Sequence, residues 1–132
     1  MRDLFTYEEY CSNWLDYPQI ELGFKSVPVD KIVGSSSAIS GRYYEDFSPK
    51  PEEQNDRYTR LTEEIQDQLT RKQKLELGLI HLFKFKFKNV IWYFVGMDGN
   101  RRVSNCKRLK IKTIRAEVTE VNLSSVMCQR KS

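Results

Sequence analysis

The alternation of apolar and polar residues along the chain is clearest between residues 83 and 95. Three phenylalanines alternate with three lysines over 83–88, the period of two that a β-strand with one buried face produces. After Asn89, the run Val-Ile-Trp-Tyr-Phe-Val at 90–95 is apolar throughout, which is typical of a strand buried on both faces. The pattern therefore predicts a β-hairpin whose second strand lies centrally in a sheet.

Two other segments follow the helical period. From residue 58 to residue 69, apolar residues recur three or four positions apart among charged and amide residues, which predicts a helix over 57–72. Residues 6–9 read Thr-Tyr-Glu-Glu, a capping box that precedes further apolar residues at helical spacing. A second, amphipathic helix is therefore predicted over 7–16.

The remaining pattern predicts two more strands and a loop. Residues 24–33 alternate well enough for a strand, but Pro28 cannot donate to a ladder, which indicates an edge strand or an early strand end. Residues 113–121 alternate in the same way and predict a last strand. The small residues of 34–41 predict a flexible loop, and the weak pattern of 124–132 predicts a frayed tail.

Length and composition indicate one small domain. With 132 residues, 39% of them hydrophobic, the chain has room for one core, and the elements above predict an α+β fold: a small, strongly curved mixed sheet with packed helices. We expect a cytoplasmic protein, because no apolar stretch approaches the ~20 residues of a membrane span and the first residues lack a signal-peptide core. Three separated cysteines and the single His81 indicate neither a zinc site nor imidazole chemistry.

Charge is distributed unevenly along the chain. Residues 1–66 hold 7 basic and 13 acidic residues, and residues 67–132 hold 15 basic and 5 acidic residues, so the halves carry −6 and +10 around the overall +4. A basic half of this size would attract polyanions such as nucleic acid at long range. The alternative is that the two halves are neighbouring layers of one fold whose charges offset each other.

The junction at 96–102 is the most informative stretch for function. Here the apolar strand stops, Gly99 stands where a tight turn needs a positive φ, and a short helix is predicted to about residue 109. A helix start presents free N–H groups and the positive end of the dipole, where cations are unfavourable unless an anion is bound. Arg101 and Arg102 therefore predict a phosphate or carboxylate site, with Arg102 exposed. The alternative is a salt bridge from Arg102 to a nearby carboxylate.

Three segments in this order carry a resemblance to a known family. They read Val-Pro-Val-Asp-Lys-Ile-Val-Gly-Ser at 27–35, Gly-Arg-Tyr-Tyr-Glu-Asp-Phe at 41–47, and Asp-Gly-Asn-Arg-Arg-Val-Ser at 98–104, the last ahead of Lys-Ile-Lys-Thr-Ile at 110–114. Together they resemble the N-terminal domain of ParB-type proteins, in the ParB/sulfiredoxin superfamily, and most of all its small stand-alone bacterial or phage members with an Asp-Gly-His-His-Arg motif. The resemblance implies a domain over 25–121, preceded by an N-terminal helix and linker at 1–24 and followed by a tail at 122–132.

The resemblance also implies a ligand site. In ParB-type proteins the matching turn reads Gly-Glu-Arg-Arg and binds the triphosphate of CTP. This correspondence implies that a phosphate ligand would contact the turn and the loop before it, through Gly99, Asn100, Arg101, Arg102, Arg42, Ser35, Ser36 and Ser37. A nucleoside triphosphate, with or without Mg, is the cofactor implied. No resident metal site is indicated.

The enzymes of the superfamily imply functions other than binding alone. In sulfiredoxins the turn reads Gly-Gly-Cys-His-Arg, so Asn100 replaces the nucleophilic cysteine and argues against sulfinic-acid reductase chemistry. Free-serine kinases use the turn with an upstream carboxylate as base, and the candidates here are Asp98, Asp30 and Glu45. Asp98 has a simpler alternative role, which is to cap the turn. Whether the chain is an enzyme is left open; binding is favoured because the motif lacks the usual titratable histidines.

Lys84, Lys86 and Lys88 line one face of the predicted hairpin strand. Such a row would track a nucleic-acid backbone without reading bases, and its alternative is a solvated face of an edge strand. The leading interpretation is thus a nucleotide- or phosphoanion-binding ParB-like module, in a regulatory or DNA-associated accessory role, with non-specific DNA or RNA contact and no membrane partner. A phosphotransferase or a ParB-like nuclease is the alternative.

Overall fold

The hairpin predicted from the alternating segment lies at the centre of the sheet. In the computed structural model, which describes residues 1–96 and 98–123, six strands form one mixed sheet in the order β1-β3-β5-β4-β6-β2. Their bounds are Phe5–Thr6 (β1), Gln19–Pro28 (β2), Ile32–Ser35 (β3), His81–Phe87 (β4), Val90–Val95 (β5) and Thr113–Asn122 (β6). Because β4 pairs antiparallel with β5 and parallel with β6, while β5 also pairs parallel with β3, both hairpin strands are internal.

Four α-helices accompany the sheet in the described ranges. They are Tyr7–Tyr10 (α1), Ser37–Ser40 (α2), Asp56–Thr70 (α3) and Asn100–Arg108 (α4). The architecture is therefore α+β, as the sequence predicts, and α3 and β6 match their predicted segments closely. None of the described helices combines the length and apolar character that crossing a membrane requires.

The first helix is shorter than predicted. Thr6 caps it as expected, since its Oγ1 accepts a hydrogen bond of 3.0 Å from the Glu9 amide, but α1 ends at Tyr10 and only one 3-10 turn, Trp14–Asp16, follows. Ser12 and Asn13, which lie between the two, are weak helix formers whose side chains compete for backbone hydrogen bonds. The prediction of one continuous helix over 7–16 was wrong.

The strand predicted over 24–33 is divided in the structure. β2 begins earlier, at Gln19, and ends at Pro28, and a 3-10 turn, Val29–Lys31, separates it from β3. β2 is an edge strand, so both consequences expected of Pro28 are confirmed. Residues 1–24, expected as a helix and linker, instead contribute β1 and the first half of β2 to the same sheet.

The segment predicted as a loop over 34–41 is largely ordered structure. Its first residues end β3, and α2 follows. An added Cβ at Gly34 would overlap the carbonyl oxygen of Phe5 and lie 2.9 Å from the Phe94 ring, so this position needs glycine for β1 to pair against it. The predicted tail over 124–132 lies outside the described residues.

Two hydrophobic clusters cover opposite faces of the sheet. The first lies under α4 and includes Val95, Val103 and Cys106, each fully buried. The second lies under α1, where Tyr7 packs edge-on and Trp14 packs at a tilted angle against Phe83. Burial of both faces stabilises the hairpin strands, since apolar burial contributes about 25 cal/mol per Å².

Helices α3 and α4 are joined by polar contacts. The Tyr58 hydroxyl lies 2.7 Å from Ser104 Oγ, which in turn donates to the Phe47 carbonyl at 2.7 Å, and Thr62 donates to the Asn105 side chain. Buried hydrogen-bonded groups of this kind fix one relative position of two elements. They hold the N-terminal part of α3 beside the start of α4.

Candidate anion-binding site

The turn between β5 and α4 has the predicted backbone conformation. Gly99 is the N-cap of α4, with φ +121°, and an added Cβ there would lie 2.8 Å from Ile80 Cγ2. Glycine is therefore needed for both the dihedral angle and the space. No side chain caps α4 and its first turn holds no acidic residue, so the helix start keeps N–H donors and a positive dipole end without a neutralising group.

Asn100 is held by the end of β3. The Ser35 hydroxyl lies 2.6 Å from Asn100 Oδ1 and 3.4 Å from the Val95 carbonyl oxygen, and Ser35 is fully buried. This contact ties the third strand to the start of α4 and leaves the Asn100 amide nitrogen as a donor. Ser35 thus stabilises the turn from its buried side.

Arg101 is the arginine of the turn with unused donors. Its side chain is 32% exposed, its Nη2 lies 3.7 Å from Glu53 Oε2, and its buried Nε has no hydrogen-bond partner among the residues described. An unsatisfied buried donor is unfavourable. Arg101 thus keeps a donor that the described residues leave unused.

Glu53 is a buried carboxylate between two arginines. It is 11% exposed at the side chain, lies 3.8 Å from Arg42 Nη1, and accepts a 3.3 Å hydrogen bond from the Tyr43 hydroxyl. Burial, and then the neighbouring Glu53 carboxylate, raise the pKa of Tyr43 well above its usual range, so that hydroxyl stays a donor. Glu53 therefore orients Arg42 and Arg101 toward each other, through ion pairs longer than hydrogen bonds.

Arg102 has protein partners instead. Its Nη1 donates to the Leu77 carbonyl at 2.6 Å, its Nη2 lies 3.2 Å from Asp98 Oδ2, and its side chain is only 19% exposed. The expectation that Arg102 is exposed was wrong, because the segment before β4 packs over it. Asp98, whose side chain is 82% exposed, pairs with this arginine and does not cap α4.

The segment after β3, the first part of α3 and the start of α4 line one cleft with a volume of about 710 Å³. It is strongly cationic, because five arginines line it against three carboxylates. The arginines are Arg42, Arg57, Arg60, Arg101 and Arg102, and the carboxylates are Glu53, Glu64 and Asp98.

The cleft brings together most of the residues predicted for the ligand. Gly99, Asn100, Arg101 and Arg102 line it from α4, and Arg42 and Ser36 line it from the segment after β3. Ser37 lies elsewhere: its amide and hydroxyl donate to the Glu8 carboxylate, at 3.0 and 2.8 Å.

Two of the three predicted carboxylates lie away from this cleft. Asp30 borders a separate hollow together with Lys107, and Glu45 borders another together with Arg2. Of the predicted bases, Asp98 alone lines the arginine cleft. Sequence reasoning missed Glu53 and Glu64, because nothing local to either residue indicates that it faces the turn.

Sequence reasoning also missed the arginines of α3. Arg57 and Arg60 stand on the polar side of the predicted helix, where charged residues are ordinarily solvated. Their spacing of three residues puts them on one face of the helix. That shared face was the only indication in the sequence that the two arginines act together. Only the packing of α3 against α4 shows that this face borders the turn.

The three lysines of the hairpin are in a different environment. Lys84 Nζ lies 3.4 Å from Glu120 Oε1 on the neighbouring β6, and the Lys84 side chain is 20% exposed. Lys86 is partly buried, and the Lys88 ammonium lies 5.5 Å from the centroid of the Phe87 ring. The alternative of an edge-strand face was wrong, since β4 is paired on both sides.

Cys106 lies on the buried face of α4. Burial raises the pKa of Cys106 to about 12, so this thiol, one turn along α4 from Arg102, is protonated at neutral pH. Within residues 1–96 and 98–123 no three His, Cys, Asp or Glu side chains are grouped so as to hold a metal ion.

No protein-family model matches the chain, and no curated protein matches it. Membership of the ParB/sulfiredoxin superfamily therefore stays a prediction from the three segments quoted above.

Proposed function

We propose that the protein is a nucleotide- or phosphoanion-binding module of the ParB/sulfiredoxin type, with a regulatory or DNA-associated accessory role. One observation carries the proposal. The uncapped start of α4 opens into a cationic cleft, where Arg101 has a buried Nε without a partner. Backbone donors, a helix dipole and a guanidinium directed at one place are the usual elements of a phosphate site.

Each residue of the cleft has a role in this proposal. Gly99 lets the phosphate approach the backbone closely, and Arg101 neutralises its charge through Nε and Nη2. Arg42, 58% exposed and loosely paired with Glu53, assists from the segment after β3. Ser36 adds a hydroxyl donor. Arg102 contributes mainly by fixing the turn, because its Nη1 and Nη2 already contact Leu77 and Asp98.

Association with DNA or RNA would be a secondary property. The C-terminal half of the sequence is strongly basic, which favours contact with phosphates. Binding through phosphates alone is weak, indifferent to sequence and steeply dependent on salt. We therefore propose non-specific contact at most.

A phosphotransferase or nuclease is the second candidate, and one observation favours keeping it. Such an enzyme needs a carboxylate beside the bound phosphate as base or magnesium ligand. Glu64 lines the cleft and makes no ion pair in the described structure, whereas Glu53 and Asp98 are paired with arginines. Mg²⁺ usually binds through one or two carboxylates together with substrate phosphates, so Glu64 would hold it, and Mg²⁺ would neutralise phosphate charge.

A ligand screen tests the proposal. Thermal shift and calorimetry with nucleoside triphosphates, with and without Mg²⁺ and DNA, should show stabilisation that grows with ligand concentration, as binding to the folded state requires. The Arg101→Gln variant should lose it. Absence of stabilisation by every phosphate compound would contradict the proposal.

Turnover assays separate the two candidates. A binding module should release no product from ATP or CTP with serine, DNA or water as acceptor. An enzyme should do so, and removal of its carboxylate, by Glu64→Gln or Asp98→Asn, should lower turnover about 100-fold or more while nucleotide binding persists.

A further inference from the structure

Two of the five arginines of the cleft have no partner. Arg57 and Arg60 stand three residues apart on α3, both are exposed, and both line the cleft. Neither side chain makes an ion pair, a hydrogen bond or a ring contact in the part of the chain that the structure describes. The other three arginines each pair with a carboxylate.

Helix stability does not explain these two residues. Arg57 is in the first turn of α3, where a cation opposes the helix dipole. Arg57 and Arg60, three residues apart, are also neighbours of like charge on the helix surface. Arg60 and Glu64 have the i,i+4 spacing of a helical ion pair, yet they form none. In the folded protein neither guanidinium forms an ion pair with a described residue, and both border the same cavity.

The cleft is larger than one phosphate needs. Its volume of about 710 Å³ is within the range of pockets that take whole nucleotide-sized ligands, roughly 300–1,000 Å³. A ligand held at the start of α4 therefore leaves room that α3 borders, and this room is lined by cations.

We infer that the cleft has a second anion subsite, formed by Arg57 and Arg60, and that its ligand is an oligophosphate with at least two phosphate groups. One group lies at the α4 start and the next lies at α3. The inference rests on the proposed function. The same chemistry occurs in a free polyphosphate chain, as in a nucleotide, and in the phosphodiester chain of a single-stranded nucleic acid.

The test compares phosphate chains of different length. Calorimetry in low-salt buffer measures the affinities for orthophosphate, pyrophosphate and tripolyphosphate. The variants are the parent, Arg57→Gln with Arg60→Gln, and a control, Lys72→Gln with Lys74→Gln, which also removes two exposed positive charges but outside the cleft. Glutamine keeps the helix propensity of α3.

The expected result is a loss of chain-length preference. The parent should bind tripolyphosphate at least ~10-fold more tightly than orthophosphate, because charge-assisted bonds to the second group are added. The α3 double variant should lose this preference while its orthophosphate affinity changes less than ~2-fold, and the control variant should keep it.

Other results would overturn the inference. If the α3 variant keeps the preference, or if the control loses it equally, Arg57 and Arg60 form no subsite. If the parent binds orthophosphate without preferring longer chains, the inference fails and the proposed function stands. If the parent binds none of the three compounds, both fail.

A competition experiment then names the source of the phosphates. A short thymidine oligonucleotide should displace tripolyphosphate from the parent at comparable phosphate concentration if the subsites follow a nucleic-acid backbone. Displacement by a nucleoside triphosphate but not by the oligonucleotide identifies a free polyphosphate chain. Either outcome supports two subsites.

Discussion

Two cationic regions of the molecule look alike in sequence and differ in structure. The turn at 98–102 and the lysine row at 84–88 were both candidates for contact with phosphate. In the structure the arginines border a cleft together with an uncapped helix start, whereas Lys84 is paired with Glu120 and Lys88 lies over a ring. Charge density alone therefore does not make a site: concavity, free backbone donors and an Arg101 Nε without a partner distinguish the turn.

Replacement of Arg101, whose Nε has no partner among the described residues, should give the largest difference between the two regions. Arg101→Gln is expected to weaken tripolyphosphate binding by about 10- to 100-fold, because a hydrogen bond to a charged group contributes about 1.5–3 kcal/mol. Lys84→Gln should change it less than ~2-fold. Calorimetry of both variants makes the measurement, and equal losses would contradict the comparison.

Stability should separate the two arginines of the turn. Arg102→Gln is expected to lower the free energy of unfolding by about 1–3 kcal/mol, since the Leu77 carbonyl loses a hydrogen bond to a charged donor. Arg101→Gln should lower the free energy of unfolding much less, because the ion pair of Arg101 with Glu53 is long and Glu53 still has Arg42 and Tyr43 as partners. Urea unfolding without added anion tests this. Arg102→Gln as stable as the parent would show that Arg102 is not a structural residue.

The salt dependence of nucleic-acid binding should respond to the cleft and not to the lysine row. If a phosphate of the backbone reaches Arg101, Arg101→Gln should reduce the slope of log K against log salt by about 1. Lys84→Gln should leave the slope unchanged. Fluorescence titration of a labelled oligonucleotide at several salt concentrations measures both. A slope change for Lys84→Gln alone would reverse the assignment.

The smallest expected effect concerns two tyrosines. Tyr43 lines the arginine cleft, and Tyr93 lies opposite Lys84 in the hairpin. Burial raises the pKa of Tyr43, beside Glu53, and of Tyr93, beside Glu120. A raised folded pKa means that this contribution to stability is present below pH ~10 and is lost as the pH rises through the folded pKa. Above pH ~10, the free energy of unfolding should therefore fall less steeply with pH in Tyr43→Phe than in the parent. Tyr93→Phe should reduce this steepness by a smaller amount. Urea unfolding at a series of alkaline pH values measures it, and the opposite order would contradict the packing of Tyr43.

Much of the fold was predictable because the deciding patterns are local. The hairpin, α3 and β6 each follow from a period within one segment, and Pro28 and Gly99 act through their own backbone. The end of α1 and the division of β2 from β3 were not predictable. They depend on where the N-terminal segment joins the sheet, as the contact of Gly34 with Phe5 shows.

The site was predictable to the same extent. The turn residues and Arg42 follow from motif and helix physics, and the structure lines one cleft with them. Arg57 and Arg60 enter it because α3 packs on α4 through Tyr58 and Ser104, a contact between residues 46 positions apart in the chain. Glu53 lines the cleft from the 3-10 turn Pro51–Glu53, just before α3. Arg102 was expected as an exposed ligand, because the sequence does not show that residue 77 covers it.

The most direct test of the central claim is an NMR titration of the ¹⁵N-labelled protein with tripolyphosphate. The backbone amides of Asn100, Arg101 and Arg102 should shift most, since the anion binds at the α4 start, while the amides of Lys84, Lys86 and Lys88 should stay in place. Shifts confined to the lysine row, or absent from both regions at saturating ligand, would contradict it.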